Sequence, residues 1–231
     1  MYNKEINMAT VIEVANGLQE LRERMVFIGG AVISLYTDDP AADEIRPTQD
    51  IDLTINLGNK YINLVEAEER LRELEFFPDP EGHSICSYKY KNIPVDIMPA
   101  SDSPVGPSNS WYIPGFKYLQ QYEISDGIFI NILPVSYFLA TKFEAFNQRG
   151  GGQDYHGSHD YEDIIYVLDN RIHIVDEILQ SDELVKNFLI NELTKLSKHP
   201  QSDEILSMHI SAYIREERFS MLKDKINIII K

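Results

Sequence analysis

A single cysteine, Cys86, leaves no partner for an intrachain disulfide, and a chain of 231 residues is long enough to close a core without one. No apolar run approaches the roughly 20 residues that span a bilayer, so no membrane-crossing helix is expected. The opening residues MYNKEINMAT carry no apolar leader segment, which argues against secretion. Nothing reads as low-complexity or repeated. Basic residues are scarce: 21 Lys and Arg stand against 37 Asp and Glu, a net charge of −16. That surplus repels phosphate backbones at long range and disfavours non-specific nucleic-acid binding, although it leaves room for a local basic groove. Together these absences point to a cytoplasmic protein in a reducing compartment, with no membrane partner.

What is present is ordinary for a globular chain, with 43% hydrophobic and 25% charged residues. Val11, Val14, Ala15, Leu18, Leu21 and Met25 recur at spacings of three and four, which predicts an amphipathic helix over 10–25. Residues 25–28 read as a short apolar strand closed by Gly29-Gly30, followed by a helix over 31–36 and a polar loop over 37–48. Strands are expected at 51–56, 84–91, 93–98 and 128–133. A charged helix is expected over 60–75, with Ile62, Val65, Leu71 and Leu74 inward. Residues 99–118 read as a loop. After Pro134, which suits a helix N-terminus, the pattern is helical: 135–148, a glycine break at 150–152, then 160–168, 172–179, 182–196 and 203–223. The expected architecture is α+β, with a mixed-sheet core over 1–133 and a helical region over 134–231 that completes the site.

The informative stretch is GGAVISLY followed by RPTQDIDL. On a strand, alternate residues share a face, so Asp50, Asp52 and Thr54 point one way and Ile51, Leu53 and Ile55 the other. The two carboxylates then stand about 7 Å apart along the strand. Like charges held so close need a cation between them, and Mg²⁺ prefers one or two carboxylates plus phosphate oxygens. The strand at 93–98 repeats the pattern, with Ile93, Val95 and Ile97 behind and Asp96 in front. If the strands are neighbours, Asp50, Asp52 and Asp96 converge as metal ligands. One of them is then able to accept a proton from an attacking hydroxyl. Gly29-Gly30, between strand and helix, offers bare backbone to a phosphate.

This run of residues resembles the signature of the DNA polymerase β-like nucleotidyltransferase superfamily. The similarity is greatest to the AbiEii/AbiGii toxin-like group, which includes the MenT-type toxins. Gly29-Gly30, Arg46, Thr48, Asp50 and Asp52 stand in the group's order. A later lysine and aspartate of the group match Lys142 and Asp160. The resemblance covers about residues 25–170 and implies a Mg²⁺-dependent enzyme that transfers NMP from an NTP to an acceptor hydroxyl, with release of pyrophosphate. It implies catalytic roles for Asp50, Asp52, Asp96, Lys142 and Asp160, and nucleotide contacts from Gly29, Gly30, Ser34, Thr48, Lys142 and Arg149. Lys142, Ala145 and Arg149 share a helix face, where two cations flank a small residue. Two departures stand out. The glycines are followed by Ala31 rather than a hydroxyl residue, with Ser34 one turn on as the substitute, and His159 replaces a permanent cation before Asp160. The acceptor implied is tRNA, a protein side chain or a small molecule of the aminoglycoside kind, and a toxin of this type has an antitoxin partner. The other reading is an inactive nucleotidyltransferase fold that serves as a binding module.

Overall fold

The computed structural model describes residues 3–55, 61–82, 86–101, 108–149, 152–210 and 215–231, with the side chains of 61–64 and 215 set aside. The chain forms two compact units. The first comprises 1–34 and 44–134, the second 35–43 and 135–231.

The first unit is built on a seven-stranded mixed sheet in the order β3-β4-β5-β2-β1-β7-β6. Its strands are β1 (Met25–Ile28), β2 (Ile51–Ile55), β3 (Phe76–Pro78), β4 (Ser87–Tyr90), β5 (Ile93–Pro99), β6 (Gln120–Ser125) and β7 (Ile128–Ile132). β1 and β2 are antiparallel, while β1 with β7 and β2 with β5 are parallel. All four residues of β1 are buried, which is why it reads as an unbroken apolar run rather than an alternation.

Helix α1 (Asn3–Gly17) presents Asn7, Val11, Val14 and Ala15 as its buried stripe. The helix expected over 10–25 is thus two elements, because α1 ends at Gly17 and a 3-10 turn spans Gln19–Arg24. The break has a local cause. Gln19 adopts φ +48°, a left-handed backbone no helix continues through, and Gly17 lies where a Cβ would come within 2.4 Å of the Tyr90 ring. Helix α2 (Tyr61–Glu73) buries Leu71, with Leu74 just beyond its end also buried, but Val65 is exposed, contrary to expectation. Ile62, Asn56 and Ser84 lie outside what is described.

Not every element was expected. β3 is only three residues long and ends in proline. β6 is polar and exposed at the sheet edge, so it shows no apolar alternation. It pairs with β7 through an Asp126-Gly127 turn in which Gly127 takes φ +70°. Helix α3 (Tyr112–Gly115) falls in the segment expected to be loop.

The second unit contains α4 (Val135–Gln148), α5 (His159–Asn170), α6 (Ile174–Leu179), α7 (Glu183–Ser197), α8 (Ser202–Met208) and α9 (Arg215–Ile229). The single helix expected over 203–223 is therefore α8 and α9, separated by residues 211–214, which are not described. α4 buries a continuous set from Val135 to Phe143 plus Phe146. Tyr36 of the 35–43 segment stacks on Phe138 at 4.1 Å between ring centroids. Ser158 caps α5, accepting from the Tyr161 amide at 3.3 Å, and Asp182 caps α7 through the Leu184 amide.

Candidate active site

In the first unit the sheet register sets Asp52 of β2 directly opposite Asp96 of β5. Asp50 precedes β2 by one residue. One carboxylate oxygen from each of Asp50, Asp52 and Asp96 lies within 4.8 Å of the others, and all three side chains are half-buried. The alternation that fronts the acids also backs them: Ile51, Leu53, Val95 and Ile97 are buried behind. Thr54, on the acid face by register, is itself fully buried, so that face is open only at its Asp50–Asp52 end. Ser87 of β4, paired with Asp96 in the sheet, donates its hydroxyl to Asp96 Oδ1 at 2.6 Å. Burial pushes the neighbouring Cys86 thiol up, with the charges of Asp96 and then Glu68 adding to it.

The glycine pair meets this acid face from β1, where Ile28 pairs with Asp52. Gly29 takes φ +74°, and a Cβ there would fall 1.9 Å from Asp52 Oδ2. A Cβ on Gly30 would fall 2.7 Å from Arg46 Nη2 and 2.8 Å from Thr48 Cγ2. Both glycines are thus required by contacts within the motif itself: the first lets Asp52 approach, the second lets Arg46 and Thr48 close over the turn. Ser34 is buried within the 3-10 segment Gly30–Tyr36.

One residue that pattern reading passed over belongs to this construction. Asn7 of α1, 2% exposed, donates its amide to the Arg46 carbonyl and accepts from the Thr48 amide, both at 3.2 Å. The signal in the sequence was a polar side chain four residues before Val11, on the apolar stripe.

In the second unit Lys142 of α4 is buried, not solvated. Its Nζ lies 2.7 Å from Asp163 Oδ2 and 3.2 Å from Asp160 Oδ1 of α5. Arg149, largely exposed, reaches Asp160 Oδ2 at 2.7 Å. Lys142, Arg149 and Asp160, expected together, are brought together, with Asp163 as the most deeply buried member at 1% exposure.

A second ionic cluster in this unit went unread in the sequence. Arg218 of α9 donates to Asp169 Oδ2 at 2.7 Å, to Asn170 Oδ1 at 2.6 Å and to Asp39 Oδ2 at 3.0 Å. Lys225, two turns along the same face of α9, donates to the carbonyls of Leu168, Asp169 and Arg171, which closes the C-terminal end of α5. Burial raises the Asp169 carboxyl above the usual range, with Arg218 pulling against it. The Ala41 amide, and after it Arg218, hold Asp39 below that range.

Among the described residues no helix is long and apolar enough to cross a membrane. No curated protein matches the chain. Among solved structures, the crystal structure of an antigenic nucleotidyltransferase-like protein from Paracoccidioides brasiliensis is similar at 20% identity, covering 91% of this chain and 96% of that one, with a TM-score of 0.47. The model of the nucleotidyl transferase AbiEii toxin family, of the type IV toxin–antitoxin systems, matches residues 14–225. That span takes in the glycine turn, the carboxylate strands, the Lys142 helix and most of α9, so the chain belongs to the AbiEii nucleotidyltransferase toxin family and is a nucleotidyltransferase.

Proposed function

We propose that the chain transfers NMP from an NTP to an acceptor hydroxyl with Mg²⁺ held by Asp50, Asp52 and Asp96, and that it does so as a cytoplasmic toxin acting on tRNA. The observation that carries the reading is the convergence of three half-buried carboxylates within 4.8 Å of one another. The fit to the metal rests on the donor set: oxygen ligands only, of the hard kind that Mg²⁺ prefers. When bound, such an ion supplies charge neutralisation and orientation of the phosphates.

The chain's own residues take the remaining roles. The Gly29-Gly30 backbone, with Thr48 packed against Gly30 and Ser34 a turn beyond it in sequence, contacts the phosphates. Lys142 and Arg149 balance triphosphate charge, and Asp160 orients them. Asp96 takes the proton from the acceptor hydroxyl as oxygen attacks the α-phosphorus and pyrophosphate leaves. The Ser87 hydroxyl on Oδ1 fixes the plane of that carboxylate for the transfer. Positioning carries most of the rate in chemistry of this kind.

Membership of a toxin–antitoxin family supports a toxin role, an NTP substrate and a cognate antitoxin. A second acceptor class, a cationic small molecule such as an aminoglycoside, is favoured by one observation, the net charge of −16, which attracts cations and repels RNA.

Calorimetric titration of each NTP with Mg²⁺, on wild type and on Asp50→Ala/Asp52→Ala, tests the site. The expected result is binding that needs both the ion and the aspartates. Transfer assays with labelled nucleotide, against tRNA and against aminoglycosides, then separate the acceptors. A wild type that binds no NTP in the presence of Mg²⁺ overturns the reading.

A further inference from the structure

An asparagine inside a helix is a poor helix former, and a buried carboxamide is costly unless both its ends are hydrogen-bonded. Asn7 is 2% exposed and sits within α1. Both of its ends are used, and both go to one short loop: Nδ2 to the Arg46 carbonyl, Oδ1 from the Thr48 amide, each at 3.2 Å. A carbonyl and an amide two residues apart are the pair that a neighbouring strand would satisfy. The Asn7 carboxamide therefore stands in for a strand partner and holds 46–48 extended just before β2.

Extended backbone places Arg46 and Thr48 on one side. That agrees with Gly30, where an added Cβ would strike Arg46 Nη2 and Thr48 Cγ2 together. Asn3, one turn earlier, extends the hold: its side chain donates to the Ile45 carbonyl at 3.0 Å and its backbone amide to Glu44 Oε1 at 2.5 Å. The N-terminal half of α1 thus grips 45–48 through that loop's backbone groups and adds one contact to the Glu44 side chain.

We propose that Asn7 is a positioning residue of the nucleotidyl-transfer site: its clamp seats Arg46 and Thr48 over the glycine turn and sets where the chain enters Asp50-Ile51-Asp52. The assignment rests on the proposed reading of that face as the Mg²⁺–nucleotide site. It explains why a polar side chain occupies the apolar stripe of a helix whose other buried members are Val11, Val14 and Ala15.

The test compares Asn7→Leu, close in size and unable to bond either group, with Val11→Ala on the same stripe as a control for lost stability alone. Amide exchange at Thr48 is followed by NMR, and the affinity for NTP with Mg²⁺ by calorimetry. In Asn7→Leu, Thr48 exchange should accelerate beyond the amount set by the loss of global stability. The NTP Kd should rise about tenfold, the size expected from two hydrogen bonds lost at a site that must be preordered. Val11→Ala should shift the melt with neither effect. Asn7→Asp keeps the acceptor and loses the donor; it should retain part of the Thr48 protection, and it serves if Asn7→Leu fails to fold. Equal Thr48 exchange and equal NTP affinity in the Asn7 variants and the Val11→Ala control would overturn the clamp while leaving the nucleotide site standing. Absence of NTP binding by the wild type would overturn the nucleotide site, and the clamp's role in it, together.

Discussion

The two units handle buried acid in opposite ways. In the helical unit the carboxylates that enter the interior meet cations: Asp163 and Asp160 meet Lys142 and Asp169 meets Arg218, each from a different helix, while Glu192 meets Lys195 of its own helix. In the sheet unit, what converges on Asp50 is two more carboxylates, from the next strand positions in register. Acids matched with cations of their own chain hold helices together. Acids gathered on one another store repulsion that a bound cation relieves. The first arrangement is expected to fail through stability when broken, the second through function.

The sharpest break in the comparison is Arg218→Ala. It leaves Asp169 buried without its guanidinium and frees Asn170 and Asp39 from the same group. Removal of one partner from a buried pair costs about 3–5 kcal/mol, and the three contacts of Arg218 place it at the upper end. Urea denaturation should show that loss. Addition of Asp169→Asn to the same background should restore part of it, since the stranded charge is then gone. A change of under about 1 kcal/mol would mean that the network is exposed in solution and that the two units do not differ in how they hold their acids.

Lys142 sharpens the comparison because it carries two readings at once. Its pairing with Asp163 and Asp160 makes it a stabilising residue, and the proposed function makes it a phosphate contact. Lys142→Met should cost about 3 kcal/mol, less than Arg218→Ala because Arg149 still serves Asp160. The double variant Lys142→Met/Asp163→Asn removes the stranded charge and should fold nearly as well as wild type. If Lys142 also contacts the triphosphate, the double variant stays stable and loses NTP affinity. If its role is confined to the pair, stability and affinity recover together.

The same contrast governs what was legible in the sequence. The triad was legible because strand geometry has a period of two: acids at 50 and 52 and a third at 96, each backed by apolar neighbours, needed only adjacent strands to meet, and β2 and β5 are adjacent. Lys142 with Asp160 was legible through family resemblance. The Arg218 network was not, because its members stand at 39, 169, 170 and 218, and no periodicity links a loop, a helix end and a distant helix. The Asn7 clamp was hidden for a related reason: its partners are backbone groups, which leave no trace in residue type. Among elements, apolar strands and long helices were legible, whereas the polar edge strand β6 and the three-residue β3 were not, since neither buries an alternating face. The helix over 10–25 was over-read because its apolar spacing continues through Leu21 and Met25 while the backbone turns at Gln19.

The smallest expected effect is the one that separates the two kinds of acid most cleanly. Asp50→Asn/Asp52→Asn removes two of three mutually repelling charges and keeps their size. In a helix-pair cluster such neutralisation would lose a cation's partner and destabilise. Here it also relieves repulsion among the three carboxylates, so with metal chelated the double variant should melt within a few degrees of wild type, a difference of about 1 kcal/mol being roughly 2–4 °C in a chain of this size. Addition of Mg²⁺ should then raise the wild-type melt and leave the variant unmoved, because ligand binding stabilises only the form that holds the site. A calorimetric scan of both proteins, with EDTA and with Mg²⁺, gives the four temperatures. A variant that melts well below wild type in EDTA would show that Asp50 and Asp52 are structural acids like Asp163, and the distinction between the two units would then be one of location alone.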